Sequence, residues 1–559
     1  MTEPIIITSH RSNLWIEPPV PQLEEELRFW DIRMGMKELT VPDRATGGWQ
    51  TIQVPDGYRK SEELLYSIED SRMITHEGLF HRVANVLASY DIPYKYRRTA
   101  PLPQYNLGPH VVAPMWSEKD KCFLPMRPEQ VQAFIRLLAA SGCGQKNGPA
   151  PRPGSGGAIA DMTMSTGKTF LIAAFIRAFI EHEIVITTYK SAVVRRLYEG
   201  LNEALKHDGI KVGMLTGGVK APERVTVCTD KSLHNFDSDK IRVILYDEVH
   251  RAGADEISAT LLGFTRAVKF GFSGTIKKQI RKKLIEAVFG PVAFRFSDEE
   301  AEALGRVSKV KVYAMSVPQG PDIGEKDGMP LERLAIIKNK FRNNLVAEVA
   351  AAAPEDMQLI IYCRTIQHME VLAKDHLPPG YELYHAQLSP AERLRLEKGI
   401  YDGSITRMVS NSSFSEGVDT TKLRLLINAD WLSSDTSVSQ RGGRNRRNDL
   451  GKNMGIIVDF RDEWGELARK NRMEQKKKAR ADTSSLALGG GEFDAPDPTL
   501  EEKEEPPDKL FSKAKKRLAQ YSDRSWPIEK VSSVSEINFG EVRLPEKSAS
   551  APQQTILPL

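Results

Sequence analysis

The chain has 559 residues, too many for one hydrophobic core, so two to four domains are expected. Apolar residues make up 40% and charged residues 27%, with a mean hydropathy of -0.38; this is the composition of a soluble globular protein and excludes a chain of membrane spans. The net charge of +4 permits a polyanionic partner without demanding one.

The four cysteines (Cys122, Cys143, Cys228, Cys363) form no CxxC pair, so neither a zinc site nor a disulfide framework is expected, and a reducing compartment suits them. MTEPIIITSH lacks the basic start and apolar core of a secretory signal. The longest greasy stretch, Phe170 to Ile180, is interrupted by Arg177 and is too short to span a bilayer. A cytoplasmic location without membrane contact is the expectation.

Residues 1–22 are rich in proline (EPPVPQ) and are expected to lack regular structure. Residues 23–120 read as a small α+β domain. Its clearest element is LFHRVANVLASY, where Leu79, Phe80, Val83, Val86 and Leu87 recur at helical spacing. Pro93 ends it by disfavouring helical geometry in the preceding residue. Tyr94-Lys-Tyr-Arg-Arg98 interleaves aromatics with cations. It reads either as a nucleic-acid platform using Tyr94 and Arg97 or as an edge strand with its tyrosines packed inward.

From 123 to 300, strand candidates (GAIADM, EIVITTY, KVGMLT, RVTVCT, IRVILYDE, AVKFGFSGT) alternate with helical patterns such as RPEQVQAFIRLLAA and KTFLIAAFIRAFIEH. Such alternation predicts a parallel sheet covered on both faces. SGCGQKNGPAPRPGSGG, at 141–157, reads as a flexible insertion. A second series follows residues 317–330: QLIIYCRT, YELYHAQ, TRMVSN, KLRLLINAD and NMGIIVDF. Beyond Trp464 come a basic helix-compatible run, a Gly/Pro/acidic linker, a second basic helix (KLFSKAKKRLAQY) and an unpatterned tail. The expected domains are therefore 1–120, 121–315, 316–465 and 466–559.

Three stretches carry chemistry. In DMTMSTGKTF an apolar strand candidate runs into a helix through Gly167-Lys168-Thr169, as a phosphate-binding loop requires. Backbone N–H groups at a helix start hold phosphate oxygens, Lys168 reaches the β/γ-phosphates and the Thr169 hydroxyl meets Mg²⁺. The glycine expected five residues before Gly167 is Met162, and the tripeptide alone is weak: average usage yields about 0.3 such matches in a chain this long. IRVILYDEVHRAG ends a strand in Asp247-Glu248, placing one carboxylate to hold Mg²⁺ and the next to polarise water. In QRGGRNRR, Arg444 and Arg447, beside Gln440, supply the cation that phosphoryl transfer needs, with an arginine from a second domain making hydrolysis depend on domain closure.

Together and in this order these stretches resemble the superfamily 2 helicases over about residues 123–465. MRPEQ resembles the adenine-reading Q-motif, which implies that Arg127 and Gln130 contact the base. DMTMSTGKT is similar to motif I, so that Met164, Ser165, Thr166 and Gly167 join Lys168 and Thr169 around the phosphates. DEVH resembles motif II, Ser273-Gly274-Thr275 motif III, YCRT motif IV, NSSFSEGVD motif V with Gly417 and Asp419 at the nucleotide, and QRGGRNRR motif VI. Thr229 falls at the usual nucleic-acid-contacting threonine, and His250 in the cleft linking ATP to nucleic acid. Ser165, the Pro-Thr-free VITTYKSAVV and Asn411 depart from the common pattern.

Within the superfamily, DEVH, FGFSGTIKK and KRLAQYSDRSWPIEKV look most like the phage UvsW-type DNA helicases. DEAD-box enzymes are a poorer match. The resemblance implies two tandem RecA-like α/β domains with parallel sheets, a small N-terminal α+β domain and a basic helical C-terminal extension. It implies an ATP- and Mg²⁺-dependent motor on duplex or branched DNA, independent of sequence and preferring DNA to RNA. A translocase subunit without strand separation, an RNA helicase and a nucleotide switch without turnover are the alternatives.

Overall fold

The computed structural model describes residues 4–42, 49–118, 120–274, 276, 281–320, 335–411, 414, 420, 422–431, 441–446, 452–463 and 508–542. The chain divides into two compact units, Met1–Ser297 and Asp298–Leu559.

The first unit begins with strands where the proline-rich composition predicts none. β1 (Ile5–His10) and β2 (Asn13–Glu17) form a hairpin whose turn uses Arg11 at φ 49°. Ile5, Ile7, Leu14 and Ile16 are buried, and the register Ile7↔Ile16 puts them on one face. They pack with Leu79, Val83 and Leu87 from the helical segment of residues 77–89. The prolines follow β2 and end the hairpin without dissolving it. A two-stranded ribbon comes next, β3 (Arg28–Pro42) with β4 (Trp49–Leu64). β5 (Tyr66–Glu69), β6 (Arg72–His76) and β7 (Tyr94–Arg98) complete a five-stranded sheet in the order β5-β6-β2-β1-β7.

The ribbon and the helical segment of the N-terminal region are tied to the domain that follows. Arg281 donates from Nη2 to Asp31 Oδ2 at 2.6 Å and Arg82 from Nε to Glu286 Oε2 at 2.7 Å. A Cβ at Gly78 would lie 2.2 Å from the Glu286 carbonyl oxygen, so only glycine permits this approach.

After the small hairpin β8 (Met115–Ser117) and β9 (Cys122–Leu124), the expected alternation appears. β10 (Gly157–Met162), β11 (Glu183–Thr188), β12 (Val212–Leu215), β13 (Lys220–Ala221), β14 (Val225–Thr229), β15 (Ile241–Asp247), β16 (Val268–Ser273) and β17 (Val292–Phe296) form one sheet. Its order is β13-β12-β14-β11-β15-β16-β10-β17, and only the β12–β13 pair is antiparallel. β10 and β16 are buried at every position, as parallel strands covered on both faces must be. Phe175, in the middle of helix Lys168–Ala178, fixes that helix to the sheet by meeting Phe270 of β16 at 4.4 Å and to the helix Pro128–Ser141 by meeting Phe134 at 4.8 Å. The 141–157 segment is held rather than loose: Ser155 and Gly156 N–H groups donate to Ala140 and Ser141 carbonyls, and a Cβ at Gly154 would lie 2.3 Å from Gly142 N.

The second unit holds the second parallel sheet. β18 (Lys309–Val317), β19 (Leu359–Tyr362), β20 (Glu382–Tyr384), β21 (Arg407–Ser410), β22 (Leu425–Asn428), β23 (Met454–Asp462) and β24 (Ile528–Val531) take the order β20-β21-β19-β22-β23-β18-β24. β18, unanticipated in the sequence, belongs here, so the division falls at Ser297/Asp298 and not at 315/316. The end of the chain also differs from expectation. Helix Asp508–Ser522 leads into β24, which pairs with β18 at the sheet edge. In β24 only Val531 is buried, a pattern too short to register as periodic. The stacked Tyr521 and Trp526 rings, 5.7 Å apart, seal this segment against the sheet.

Candidate active site

The order of the first sheet brings the ends of β10, β16 and β15 side by side. Met162, buried, is the last residue of β10 and needs no left-handed backbone, which is why the missing glycine is tolerated. The left-handed positions fall later, at Ser165 (φ 65°) and Gly167 (φ 79°). A Cβ at Gly167 would lie 2.4 Å from Gln130 Nε2, so that glycine is required on both counts. Thr166 Oγ1 closes the loop by donating to the Thr163 carbonyl at 2.7 Å. Lys168 opens the helix and donates from Nζ to the Met162 carbonyl at 2.9 Å. Gly274 permits the neighbouring β16 turn to pass, since a Cβ there would come within 2.8 Å of that same carbonyl.

Gln130 is placed differently from its expected role. Its Nε2 donates to the carbonyls of Thr166 at 2.9 Å and Gly167 at 3.1 Å, and its Oε1 accepts from the Arg127 N–H at 2.8 Å. Both ends of the amide are engaged with the chain and the residue is buried, so Gln130 braces the loop and does not present an edge to a base. Removing the brace leaves buried carbonyls unpaired, a cost of about 1–3 kcal/mol. We expect Gln130→Ala to raise the KM for ATP and for GTP by the same factor, about tenfold or more. Steady-state kinetics with both nucleotides checks this, and a loss confined to ATP would restore the base-reading role.

Asp247 ends β15, and Glu248 follows in a left-handed conformation at φ 60°, unusual for a residue with a Cβ. That twist turns the Glu248 carboxylate towards two partners. His250 Nδ1 lies 3.2 Å from its Oε2, and Ser273 Oγ, at the end of β16, donates to it at 3.3 Å. His250 Nδ1 and Ser273 Oγ are themselves 2.9 Å apart. Burial and the neighbouring Glu248 charge push the Asp247 carboxyl up to about 6, against the pull of Lys168. Burial acts on Glu248 in the same direction but is overcome by the His250 hydrogen bond and the Lys168 charge, which hold it at about 2. Two adjacent carboxylates, one penalised for its charge, suit a divalent cation shared with phosphate oxygens. Among the described residues no group of three or more His, Cys, Asp or Glu could hold a metal unaided. Thr169, in the first helical turn, and Asp247 would hold Mg²⁺; Mg²⁺ bound with ATP neutralises charge developing on the phosphates. Glu248, kept ionised and aimed by His250 and Ser273, can orient and polarise a water.

The second unit separates the arginines of QRGGRNRR. Arg441 donates to Asp430 Oδ2 at 2.6 Å and to Asn428 Oδ1 at 3.1 Å, and Arg446 pairs with Asp298; both are committed to the fold. Arg444 is buried, with its guanidinium 6.0 Å from the Phe414 ring centroid. Gln440, Arg447, Gly417, Asp419 and Thr275 lie outside the described residues.

Thr229 ends β14 in the first sheet, its Oγ1 2.8 Å from Ser232 Oγ. The adjoining turn is braced by Tyr246 donating to Asp230 at 3.0 Å. In the N-terminal sheet Tyr94 and Tyr96 pack inward on Phe80, with centroids 6.3 and 4.9 Å away. That makes Tyr94 part of an edge strand and not a stacking platform, while Arg97 donates to Thr8 Oγ1 at 2.7 Å. No sequence pattern specifies the Ser273–His250–Glu248 contacts; the Ser-Gly-Thr tripeptide marks the place but not the partners.

Residues 123–278 match the family described as type III restriction enzyme, res subunit, and residues 341–449 the helicase conserved C-terminal domain. The chain is 24% identical over 300 residues to the ATP-dependent DNA helicase Hel308 of Pyrococcus horikoshii, covering 46% of this chain and 41% of that one. It is 30% identical over 92 residues to the probable ATP-dependent RNA helicase ddx6 of Dictyostelium discoideum, covering 16% and 22%. The chain thus spans less than half the length of either relative. The crystal structure of T4 UvsW is similar at 15% identity and a TM-score of 0.35, over 95% of this chain and 99% of that one. No described helix is long and apolar enough to cross a membrane. Both family matches fall in sequence order, one over the phosphate loop and DEVH and the other reaching the arginine turn, and together they support a superfamily 2 helicase.

Proposed function

We propose that this chain hydrolyses ATP·Mg²⁺ to drive translocation on DNA, with branched or duplex DNA as its substrate. The observation that carries the ATPase reading is the convergence of Lys168, Asp247 and Glu248 at one sheet edge, with Glu248 aimed by His250 and Ser273. Lys168 and the 163–167 loop bind the phosphates, Thr169 and Asp247 hold Mg²⁺, Glu248 polarises water, and Arg444 and Arg447, with Gln440 beside them, serve the charge that develops in phosphoryl transfer. Thr229, at the end of β14, contacts the nucleic-acid backbone. The preference for DNA rests on the UvsW-like motifs and on the likeness to a DNA helicase.

ATPase rates with single-stranded, linear duplex, forked and four-way DNA and with RNA test this. Forked or four-way DNA is expected to stimulate most. The stimulation should weaken with salt, with a log–log slope of about −0.9 per neutralised phosphate on duplex. Base sequence should have little effect, because a motor that tracks phosphates gains position but no base readout. Greater stimulation by RNA than by any DNA would transfer the assignment to an RNA helicase.

A further inference from the structure

Helix Asp508–Ser522 and β24 lie beyond residues 341–449, yet the segment they form reaches the helical turn 441–445 that carries Arg444 by two routes. The first is a chain of buried polar groups. Arg517 Nε donates to Asp459 Oδ1 at 3.0 Å, and Tyr521 donates to Asp459 Oδ2 at 2.9 Å. Asn428 Nδ2 donates to the same Oδ2 at 3.0 Å, and Asn428 Oδ1 in turn accepts from Arg441 Nη1 at 3.1 Å. Arg517, Tyr521, Asp459, Asn428 and Arg441 are each no more than 4% exposed. Connected bonds in so dry a setting reinforce one another, and each one lost strands a polar group.

The second route is steric. The Trp526 indole covers Gly442 so closely that a Cβ there would lie 2.4 Å from its Cη2 and Cζ3 atoms. The Arg446 guanidinium sits 5.5 Å from the same indole, and Arg446 and Arg524 share Asp298. Residues on both sides of Arg444 are thereby held from the C-terminal segment, Arg441 through the polar chain and Gly442 and Arg446 through Trp526. With these neighbours fixed from outside the turn, the direction of Arg444 depends on that segment as well as on the local backbone.

We propose that residues 508–531 are a positioning element for Arg444, so that phosphoryl transfer in this chain depends on a segment outside the motor motifs. The proposal rests on the role given to Arg444 above. Trp526 and Arg517 act through the turn and touch no reacting atom. A misplacement of about 1 Å in a catalytic group costs about 10²-fold in rate.

Trp526→Ala in the full chain is expected to lower the kcat of nucleic-acid-stimulated hydrolysis by about that factor and leave the KM for ATP within twofold. In an Arg444→Ala background the same change should slow turnover no further, because the group being positioned is already gone. Should Trp526→Ala compromise folding, a steric pair gives an independent measure. Gly442→Ala should slow turnover by driving a methyl group into the indole, and adding Trp526→Leu should recover most of the loss. An additional slowing by Trp526→Ala on top of Arg444→Ala, a parallel loss of ATP affinity, or no recovery in the steric pair would overturn the positioning role while leaving the Arg444 reading intact. Normal turnover by Arg444→Ala alone would overturn the Arg444 reading itself, and the proposal with it.

Discussion

Lys168→Ala is expected to lower kcat for ATP hydrolysis by at least about 10²–10³-fold, the usual cost of deleting one preorganised electrostatic group at a reacting centre. Two losses combine. The ammonium that faces the phosphates disappears, and with it the charge that pulls the Asp247 carboxyl down towards about 6 and helps to hold Glu248 at about 2. Without that charge Asp247 titrates higher, so less of it is ionised at neutral pH and Mg²⁺ competes with a proton. The sign follows: the variant should be more defective at pH 6.5 than at pH 8. Lys168→Arg, which keeps the charge, should restore the pH profile of the unmodified protein before it restores the rate. Side-chain loss at this partly exposed helix start should leave the fold unchanged by circular dichroism. A kcat within twofold of the unmodified protein would remove the 162–169 loop from the mechanism.

Arg444→Ala should cost more, about 10³–10⁵ in turnover if it supplies the charge that meets the transferring phosphoryl group. Binding of ATP should change only a few-fold, since the phosphate loop, Thr169 and the Asp247–Glu248 pair remain. Arg444→Lys should recover little, because a point charge on a flexible stem does not reproduce a planar fork. Single-turnover kinetics separates the chemical step from binding. Equal losses in affinity and in rate would mean that the Arg444–Phe414 contact is packing alone.

The neighbouring arginines show why this prediction could not be made from QRGGRNRR alone. Arg441 and Arg444 are alike in composition and differ only in what lies around them, Asp430 and Asn428 for one and Phe414 for the other. Gln130 shows the same thing. Its position in MRPEQ is marked, but only the fold shows both ends of its amide closed on Arg127, Thr166 and Gly167.

By itself the sequence determined what is encoded over a few consecutive residues. The runs GAIADM, EIVITTY and IRVILYDE are apolar enough to be strands buried on both faces, and all three are. Gly167-Lys-Thr169 demands a left-handed turn into a helix, and Asp247-Glu248 follows a buried strand directly; both belong to one backbone segment and need no distant partner. Tertiary structure decided whatever depends on residues far apart in the chain. The strands at 5–17 owe their faces to pairing with β6 and β7 and to the Phe80–Ser89 helix. β24, with Val531 as its one buried side chain, exists because β18 offers an edge and Tyr521 and Trp526 seal it. Ser273 meets Glu248 and His250 because β16 lies beside β15 in the sheet order. Backbone preference and apolar periodicity are local and are written at each position, whereas the partner that completes a buried polar group is set by strand order, which no short stretch contains.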